Sequence, residues 1–155
     1  MGVKELGHLV LYVKNLKRSV AFYRDVLGWR QVAGPGSEVD IPLGFPAAMF
    51  SGGRTHHELL LIEVGEDAPG PLKGRRAGLY HFGLKVGDTD EELRTALEQV
   101  RAAGAHVVGA ADHTVTHSVY LTDPDGNEIE LYVDVEGIDW RDPKLLLADI
   151  KPLDL

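Results

Sequence analysis

The sequence predicts an α+β fold made of two βαβββ modules. Both halves of the 155-residue chain begin with an apolar run that carries one histidine, and in both a single amphipathic helix ended by glycine follows. Short apolar runs separated by Gly and Pro turns complete each half. The repeat predicts one domain over residues 1–135, with module 1 at about 4–65, module 2 at about 76–135, and a C-terminal tail over 136–155.

The first module begins with a strand in the apolar run "LGHLVLYV" at 6–13. Asn15 follows as a helix N-cap, since its side-chain oxygen can accept a free backbone N–H of the first turn. Gly28 ends the helix as a C′ residue. The apolar stripe of this helix is predicted at Leu16, Val20, Tyr23 and Leu27. The run at 57–64 closes the module as a strand.

The second module repeats this order, starting from the strand "LYHFGLKV" at 79–86. Thr89 and Glu92 form a capping box, which places the start of the second helix. Its apolar stripe is predicted at Leu93, Leu97 and Val100. Gly104 ends the helix, and "DPDGN" at 123–127 is a turn between two strands, because Asp-Gly is a strong hairpin signal.

Composition excludes several classes of function. The formal net charge is −8 and the pI is near 5.3, which argues against nucleic-acid binding. The chain has no cysteine, so a metal must be held by nitrogen and oxygen ligands. No apolar run is long enough to cross a membrane, and the N-terminus lacks the pattern of a secretion signal. We expect a cytoplasmic protein without a membrane or nucleic-acid partner.

Strand alternation brings a histidine and a glutamate to corresponding faces of two strands in the second module. Side chains point to opposite sides of a strand in turn, so His81 and Glu130 both face away from the helix. If the sheet curls so that these faces meet, the two side chains converge. The residues predicted to face the helix instead are Tyr80, Phe82, Leu84, Val86, Ile129, Leu131 and Val133.

The repeat adds His8 and Glu58 from the first module, so two histidines and two carboxylates face one cavity. Imidazole with carboxylate suits Zn²⁺, Ni²⁺, Fe²⁺ or Mn²⁺, and two histidines with one carboxylate suit non-haem Fe²⁺ oxygenases. His57 is the alternative fourth ligand, since it neighbours Glu58. Each histidine taken alone is more often a hydrogen-bonded core residue than a ligand. His106, in an outer strand, is interpreted as structural.

Three segments carry a resemblance to the vicinal oxygen chelate superfamily, which includes glyoxalase I, extradiol dioxygenases and bleomycin-binding proteins. They are "GHLVLYVKNLKRSVAFYRDVLGW", "YHFGLKV" and "SVYLTDPDGNEIELY". The resemblance implies paired βαβββ modules that close a curved, barrel-like mixed sheet around a divalent metal, with the helices outside. It also implies that His8, His81 and Glu130 are metal ligands.

The second half is similar to catechol-2,3-dioxygenase-type extradiol enzymes. Their pattern places a histidine, an aliphatic–Tyr pair and Asp-Pro-x-Gly ahead of the ligand glutamate, and the matching residues here are His113, Tyr120, the turn at 123–126 and Glu130. The resemblance implies a ring-cleaving dioxygenase with Fe²⁺ or Mn²⁺ and a catecholic small-molecule substrate. His113 would be its acid–base residue, and Tyr120 would hydrogen-bond the substrate oxygens.

Two alternatives stay open. A glyoxalase I- or epimerase-like isomerase or lyase would use Zn²⁺ or Ni²⁺, with Glu58 as a fourth ligand and base. A resistance protein would bind an aromatic or antibiotic molecule in the same cleft without catalysing a reaction.

Paired modules leave sheet edges that need covering, and the tail offers apolar residues for this, so the sequence also predicts a homodimer. Sedimentation velocity at micromolar concentration measures the assembly directly, and we expect a species of twice the chain mass. A monomer alone would contradict the prediction.

Overall fold

The computed structural model describes residues 2–155, which form two compact units. The first unit ends at Gly70, and the second runs from Pro71 to Leu155. The strands of the first unit are β1 Leu9–Val13, β2 Gln31–Ala33, β3 Ala47–Phe50 and β4 Leu59–Glu63. Their order in the sheet is β1-β4-β3-β2, with β1 and β4 parallel and the other neighbours antiparallel.

The second unit repeats the same connectivity and adds one edge strand. Its strands are β5 His81–Gly87, β6 His106–Asp112, β7 Thr116–Thr122, β8 Glu128–Asp134 and β9 Lys151–Pro152. The order is β5-β8-β7-β6-β9, and β5 and β8 are the parallel pair. The predicted α+β class and the βαβββ order are confirmed, with the strands hydrogen-bonded as two sheets instead of one closed sheet.

Within residues 2–155, three α-helices connect or follow these strands: α1 Leu16–Ala21, α2 Asp90–Ala102 and α3 Pro143–Leu146. Asn15 caps α1 as predicted, with its Oδ1 accepting the N–H of Arg18 at 2.9 Å. The last turns of this helix widen into a π-helical segment over Phe22–Val26. This segment buries both Phe22 and Tyr23, and the predicted α-helical stripe included only Tyr23 of the two.

Each unit has its own core. It lies where the helix packs against one face of the parallel strand pair. Leu59 and Leu61 of β4 are fully buried, as are Ile129 and Leu131 of β8. Tyr80 was expected among these helix-facing residues, and that prediction is wrong because its side chain is 75% exposed. The strand begins one residue later, at His81, so the backbone at Tyr80 is not yet held in the sheet.

The tail contributes an edge strand to the sheet of the second unit. Lys151 and Pro152 of β9 pair antiparallel with Asp112 and Ala111 of β6. Part of the β6 edge is thus covered by the chain itself, and the homodimer stays a prediction. Over residues 2–155, no helix combines the length and apolar character that crossing a bilayer requires.

The capping box at the start of α2 is formed in both directions. The Thr89 hydroxyl accepts the N–H of Glu92 at 3.3 Å, and Glu92 Oε2 accepts the N–H groups of Thr89 and Asp88 at 3.0 and 2.8 Å. The Thr89 hydroxyl also donates to Glu92 Oε2 at 2.9 Å. The hydrogen bond from the Asp88 backbone, followed by that from the Thr89 side chain, lowers the pKa of Glu92. The box fixes the direction in which α2 leaves β5.

Thr89→Ala removes the hydroxyl acceptor, and we expect the free energy of unfolding to fall by about 1 kcal/mol. Urea denaturation followed by circular dichroism measures the change. Thr89→Ser keeps the hydroxyl and serves as the control. Equal losses in both variants would contradict the capping role.

Candidate metal and acid–base site

The site is built first from the register of the parallel pair β5 and β8. His81 lies opposite Glu128, and Gly83 lies opposite Glu130. His81 Nε2 is 3.3 Å from Glu130 Oε2, and His81 Nδ1 is 3.7 Å from Glu128 Oε1. The predicted convergence of His81 with Glu130 is therefore present within the second unit, with a second carboxylate on the other side of the ring.

Gly83 keeps space beside the Glu130 carboxylate. A Cβ at this position would lie 3.6 Å from Glu130 Oε2 and 3.3 Å from the ring of Tyr132. Because glycine has no side chain, the face of β5 next to Glu130 remains open. A ligand or ion can approach the carboxylate from that side.

These residues fit a divalent metal by their chemistry. Imidazole nitrogen and carboxylate oxygen bind such ions at about 2.0–2.2 Å, so two ligands of one ion lie about 3–3.5 Å apart, as His81 Nε2 and Glu130 Oε2 do. His81 Nδ1 is buried without a hydrogen-bond partner, 3.7 Å from Glu128, where a carboxylate commonly orients a ligand histidine. Within residues 2–155, however, no three histidine or acidic side chains are gathered as a complete metal-holding group.

Tyr120 connects this pair to the predicted acid–base residue. Its hydroxyl donates to Glu130 Oε1 at 3.1 Å and lies 2.7 Å from His113 Nε2. Burial, followed by the negative charge of Glu130, raises the pKa of Tyr120 to about 12, so the phenol stays protonated at neutral pH. With the phenol proton directed at Glu130, its oxygen accepts from His113 Nε2–H.

A strained turn holds His113 at the end of β6. Thr114 has a φ of +69°, a conformation that is uncommon for a β-branched residue. Its N–H donates to Asp112 Oδ1 at 2.6 Å, while the N–H of His113 donates to the Thr116 carbonyl at 2.9 Å. These bonds fix the backbone on both sides of His113 and direct its ring toward Tyr120.

The "DPDGN" turn sets where β8 begins. Asp123 is 4% exposed, and its carboxylate accepts the N–H groups of Asp125 and Asn127 at 2.9 and 2.8 Å and the Asn127 amide at 2.8 Å. A buried carboxylate with these partners closes the turn in one conformation. The turn thereby fixes the register that puts Glu130 opposite Tyr120 on β7.

In the first unit, His8 and Glu58 lie next to each other at the starts of β1 and β4. The N–H of Leu9 donates to the Glu58 carbonyl at 2.8 Å. The Glu58 carboxylate, however, is engaged by the N–H of Gly52 and by Arg54, whose Nε is 3.4 Å from Oε1. The predicted ligand Glu58 thus already has partners from its own loop.

His8 lies in a cluster of three histidine rings, with His56 and His57. The rings of His8 and His57 are 4.6 Å apart, and His57 Nδ1 lies 2.6 Å from His56 Nδ1. Burial, then the charges of His56 and His8, lower the pKa of His57, which favours its neutral form. His57, the alternative fourth ligand, is therefore beside His8.

The register of both parallel pairs sets a histidine beside a glutamate. In the second unit His81 is opposite Glu128, and in the first Leu9 is opposite Leu59, which sets His8 beside Glu58. By this pairing Glu58 lies beside His8 as Glu128 lies beside His81, two residues before Glu130 along β8. The equivalence of Glu58 with Glu130 inferred from the repeat stays a prediction.

Two residues in this geometry were missed by the sequence reasoning. Glu128 has no role in the sequence-based prediction, although the parallel register sets it beside His81. Arg54 gave no signal, because it lies in an irregular loop whose partners are set by tertiary structure. A parallel alignment of β5 with β8 would have found the first residue, and no sequence pattern indicates the second.

The family model for the Glyoxalase/Bleomycin resistance protein/Dioxygenase superfamily matches residues 5–131. The chain belongs to this superfamily. The match includes β1, β4 and β5 and ends within β8, just after Glu130. The resemblance found in the sequence is confirmed.

Curated relatives include two kinds of enzyme. Catechol-2,3-dioxygenase of Bacillus subtilis is 31% identical over 136 residues, which cover 88% of this chain and 44% of the relative. Biphenyl-2,3-diol 1,2-dioxygenase of Paraburkholderia xenovorans is 31% identical over 83% of this chain and 41% of its own length. Lactoylglutathione lyase of Neisseria meningitidis is 28% identical over 86% of this chain and 94% of the lyase. The chain therefore spans about two fifths of these dioxygenases.

Solved structures agree on the fold. A glyoxylase/bleomycin resistance protein/dioxygenase domain from Frankia superposes with a TM-score of 0.65 at 19% identity, covering 87% of this chain and 98% of that chain. The fosfomycin resistance protein FosX from Listeria monocytogenes gives 0.63 at 18% identity, with 87% and 97% covered. At these identities the likeness establishes the fold alone.

His81→Ala removes the ring that lies between Glu128 and Glu130, and we expect the protein to lose most of its bound divalent metal, since removing even an outer-sphere partner costs about 10–100-fold in affinity. Metal content after dialysis against a chelator measures this. His106→Ala, in the same unit, is the matched control and should keep its metal. Retention of the full metal content by His81→Ala would show that the site is misassigned.

Proposed function

We propose that this protein is a metal-dependent, ring-cleaving dioxygenase of the extradiol type that acts on a catecholic substrate. Its proposed metal ligands are His8, His81 and Glu130, and Fe²⁺ or Mn²⁺ is the proposed ion. The observation that carries the proposal is the hydrogen-bonded chain from His113 through Tyr120 to Glu130. A proton-transfer group next to a candidate ligand is what oxidative cleavage of a catechol requires.

A divalent metal held by His8, His81 and Glu130 would supply Lewis-acid chemistry to the oxidative cleavage. His113 would accept a proton from a catechol hydroxyl and return one to the ring-opened product, since imidazole exchanges protons near neutral pH. Its Nε2 lies 2.7 Å from the Tyr120 hydroxyl, so this edge of the ring faces the side of the site that holds Glu130.

Tyr120 would act as a fixed hydrogen-bonding group. With its pKa raised to about 12, the phenol keeps its proton and remains neutral beside Glu130. Because its proton is donated to Glu130, the phenol oxygen can accept a hydrogen bond from a substrate hydroxyl without adding charge. The reaction balances without a further reductant, because both oxygen atoms of O₂ end in the product and the proton taken by His113 is returned.

The partners of Glu58 also support a dioxygenase. This chemistry needs coordination positions free for both substrate oxygens and for dioxygen, so a fourth protein ligand is a disadvantage. Gly52 and Arg54 occupy the Glu58 carboxylate within the first unit. Three protein ligands leave the positions that the substrate and dioxygen need.

The second candidate is a glyoxalase-like lyase or isomerase with Zn²⁺ or Ni²⁺. The observation in its favour is the 28% identity to the Neisseria meningitidis lactoylglutathione lyase over 86% of this chain. In that enzyme class Glu58 would be a ligand and base, and His113 would lie outside the chemistry.

Two single variants separate these candidates. We expect His113→Ala to slow oxygen uptake with catechols about 10²–10⁴-fold, the usual cost of losing a general acid–base group. Glu58→Gln should change the rate far less, because its carboxylate is not needed as a ligand. An oxygen electrode with the Fe²⁺-loaded protein gives both rates. If His113→Ala keeps the wild-type rate and Glu58→Gln loses activity, the lyase or isomerase is favoured.

A further inference from the structure

All three guanidinium nitrogens of Arg54 contact either Glu58 or the residues that precede His8. Nη2 donates to the carbonyl oxygens of Leu6 and Gly7 at 3.1 and 3.0 Å. Nη1 pairs with Glu5 at 3.2 Å, and Nε with Glu58 at 3.4 Å. One side chain from the loop before β4 therefore holds the residues that lead into His8.

The Glu58 carboxylate is satisfied on both oxygens. Oε1 faces Arg54, while Oε2 accepts the N–H of Gly52. The side chain is only 16% exposed, so the ion pair and the hydrogen bond are partly shielded from water. To bind a metal, Glu58 would have to give up a cation and a backbone donor, which costs free energy that a free carboxylate would not lose.

We propose that Arg54 withholds Glu58 from the metal and positions His8, so that the site keeps three protein ligands. Arg54 is thus a specificity-determining and positioning residue: it favours chemistry that needs open coordination positions over chemistry that uses a fourth ligand. This inference rests on the proposed metal site. It places the cause for the three-ligand site of this chain within the first unit.

Arginine is suited to this role and lysine is not. The guanidinium is planar with five donors in a fixed fork, so it can reach Glu58 on one edge and the carbonyl groups of Leu6 and Gly7 on another. A lysine ammonium has one nitrogen, so it could not contact acceptors on two separate edges at once. Arg54→Lys therefore keeps the charge but loses most of the arrangement.

A double-mutant cycle tests the inference through metal affinity instead of activity. Mn²⁺ is titrated into the wild type, Glu58→Gln, Arg54→Gln and the double variant, and free Mn²⁺ is measured by electron paramagnetic resonance. With Arg54 present, Glu58→Gln should change the dissociation constant by less than about fivefold, the size of a screened charge effect. With Arg54 replaced, Glu58 becomes free to bind, and its loss should weaken binding by about 10–100-fold.

Arg24 and Asp25 provide a matched control pair, because they form an exposed arginine–carboxylate contact of 2.7 Å in the same unit. The cycle of Arg24→Gln with Asp25→Asn changes the same charges and should show no coupling to Mn²⁺ affinity. Circular dichroism checks that the variants fold, and Arg54→Lys replaces Arg54→Gln if the latter does not.

The outcomes separate this inference from the proposed function. Equal effects of Glu58→Gln with and without Arg54 would overturn the role of Arg54 while leaving a metal site in place. A large effect in the presence of Arg54 would also overturn it, since Glu58 would then be a ligand already. A wild type that binds no Mn²⁺ would reject both the metal site and the inference.

Discussion

Parallel pairing of β5 with β8 places His81 opposite Glu128 and Gly83 opposite Glu130. Every further contact of the candidate site depends on this register. Glu130 can meet both His81 and Tyr120 only because β8 lies between β5 and β7, with its polar face on one side and fully buried residues on the other. A shift of one residue would exchange these faces and bury the carboxylates against α2.

The first unit shows how the same connectivity can be put to a different use. Its parallel pair, β1 with β4, also starts with a histidine next to a glutamate, but the carboxylate turns to Arg54 and Gly52. Whereas His81 lies between two carboxylates, His8 is surrounded by the rings of His56 and His57. Duplication therefore gives two similar frames whose charged groups are arranged differently.

Local patterns predicted the parts of the site that local physics controls. Alternation along the strands identified the faces of His81 and Glu130, and capping rules identified Asn15, Thr89 and Glu92. These features depend on residues near each other in sequence, where the spacing itself carries the information.

The remaining features depend on tertiary contacts. The partner of Glu58 is a guanidinium in an irregular loop, and nothing in the spacing of Arg54 indicates which acceptors it reaches. The position of Glu58 beside His8 comes from inter-strand register, which a repeat aligned by residue type does not fix. The exposure of Tyr80 follows from where β5 begins, and strand ends are set by pairing and not by composition.

The central claim is that the side chains gathered around Glu130 serve an oxygen-dependent ring cleavage. Mass spectrometry of the product made from catechol under ¹⁸O₂ by the Fe²⁺-loaded protein, trapped before exchange with water, tests it most directly. We predict a ring-opened product that carries both labelled oxygen atoms. Conversion that yields an unlabelled product, or that continues after oxygen is removed, would contradict the account.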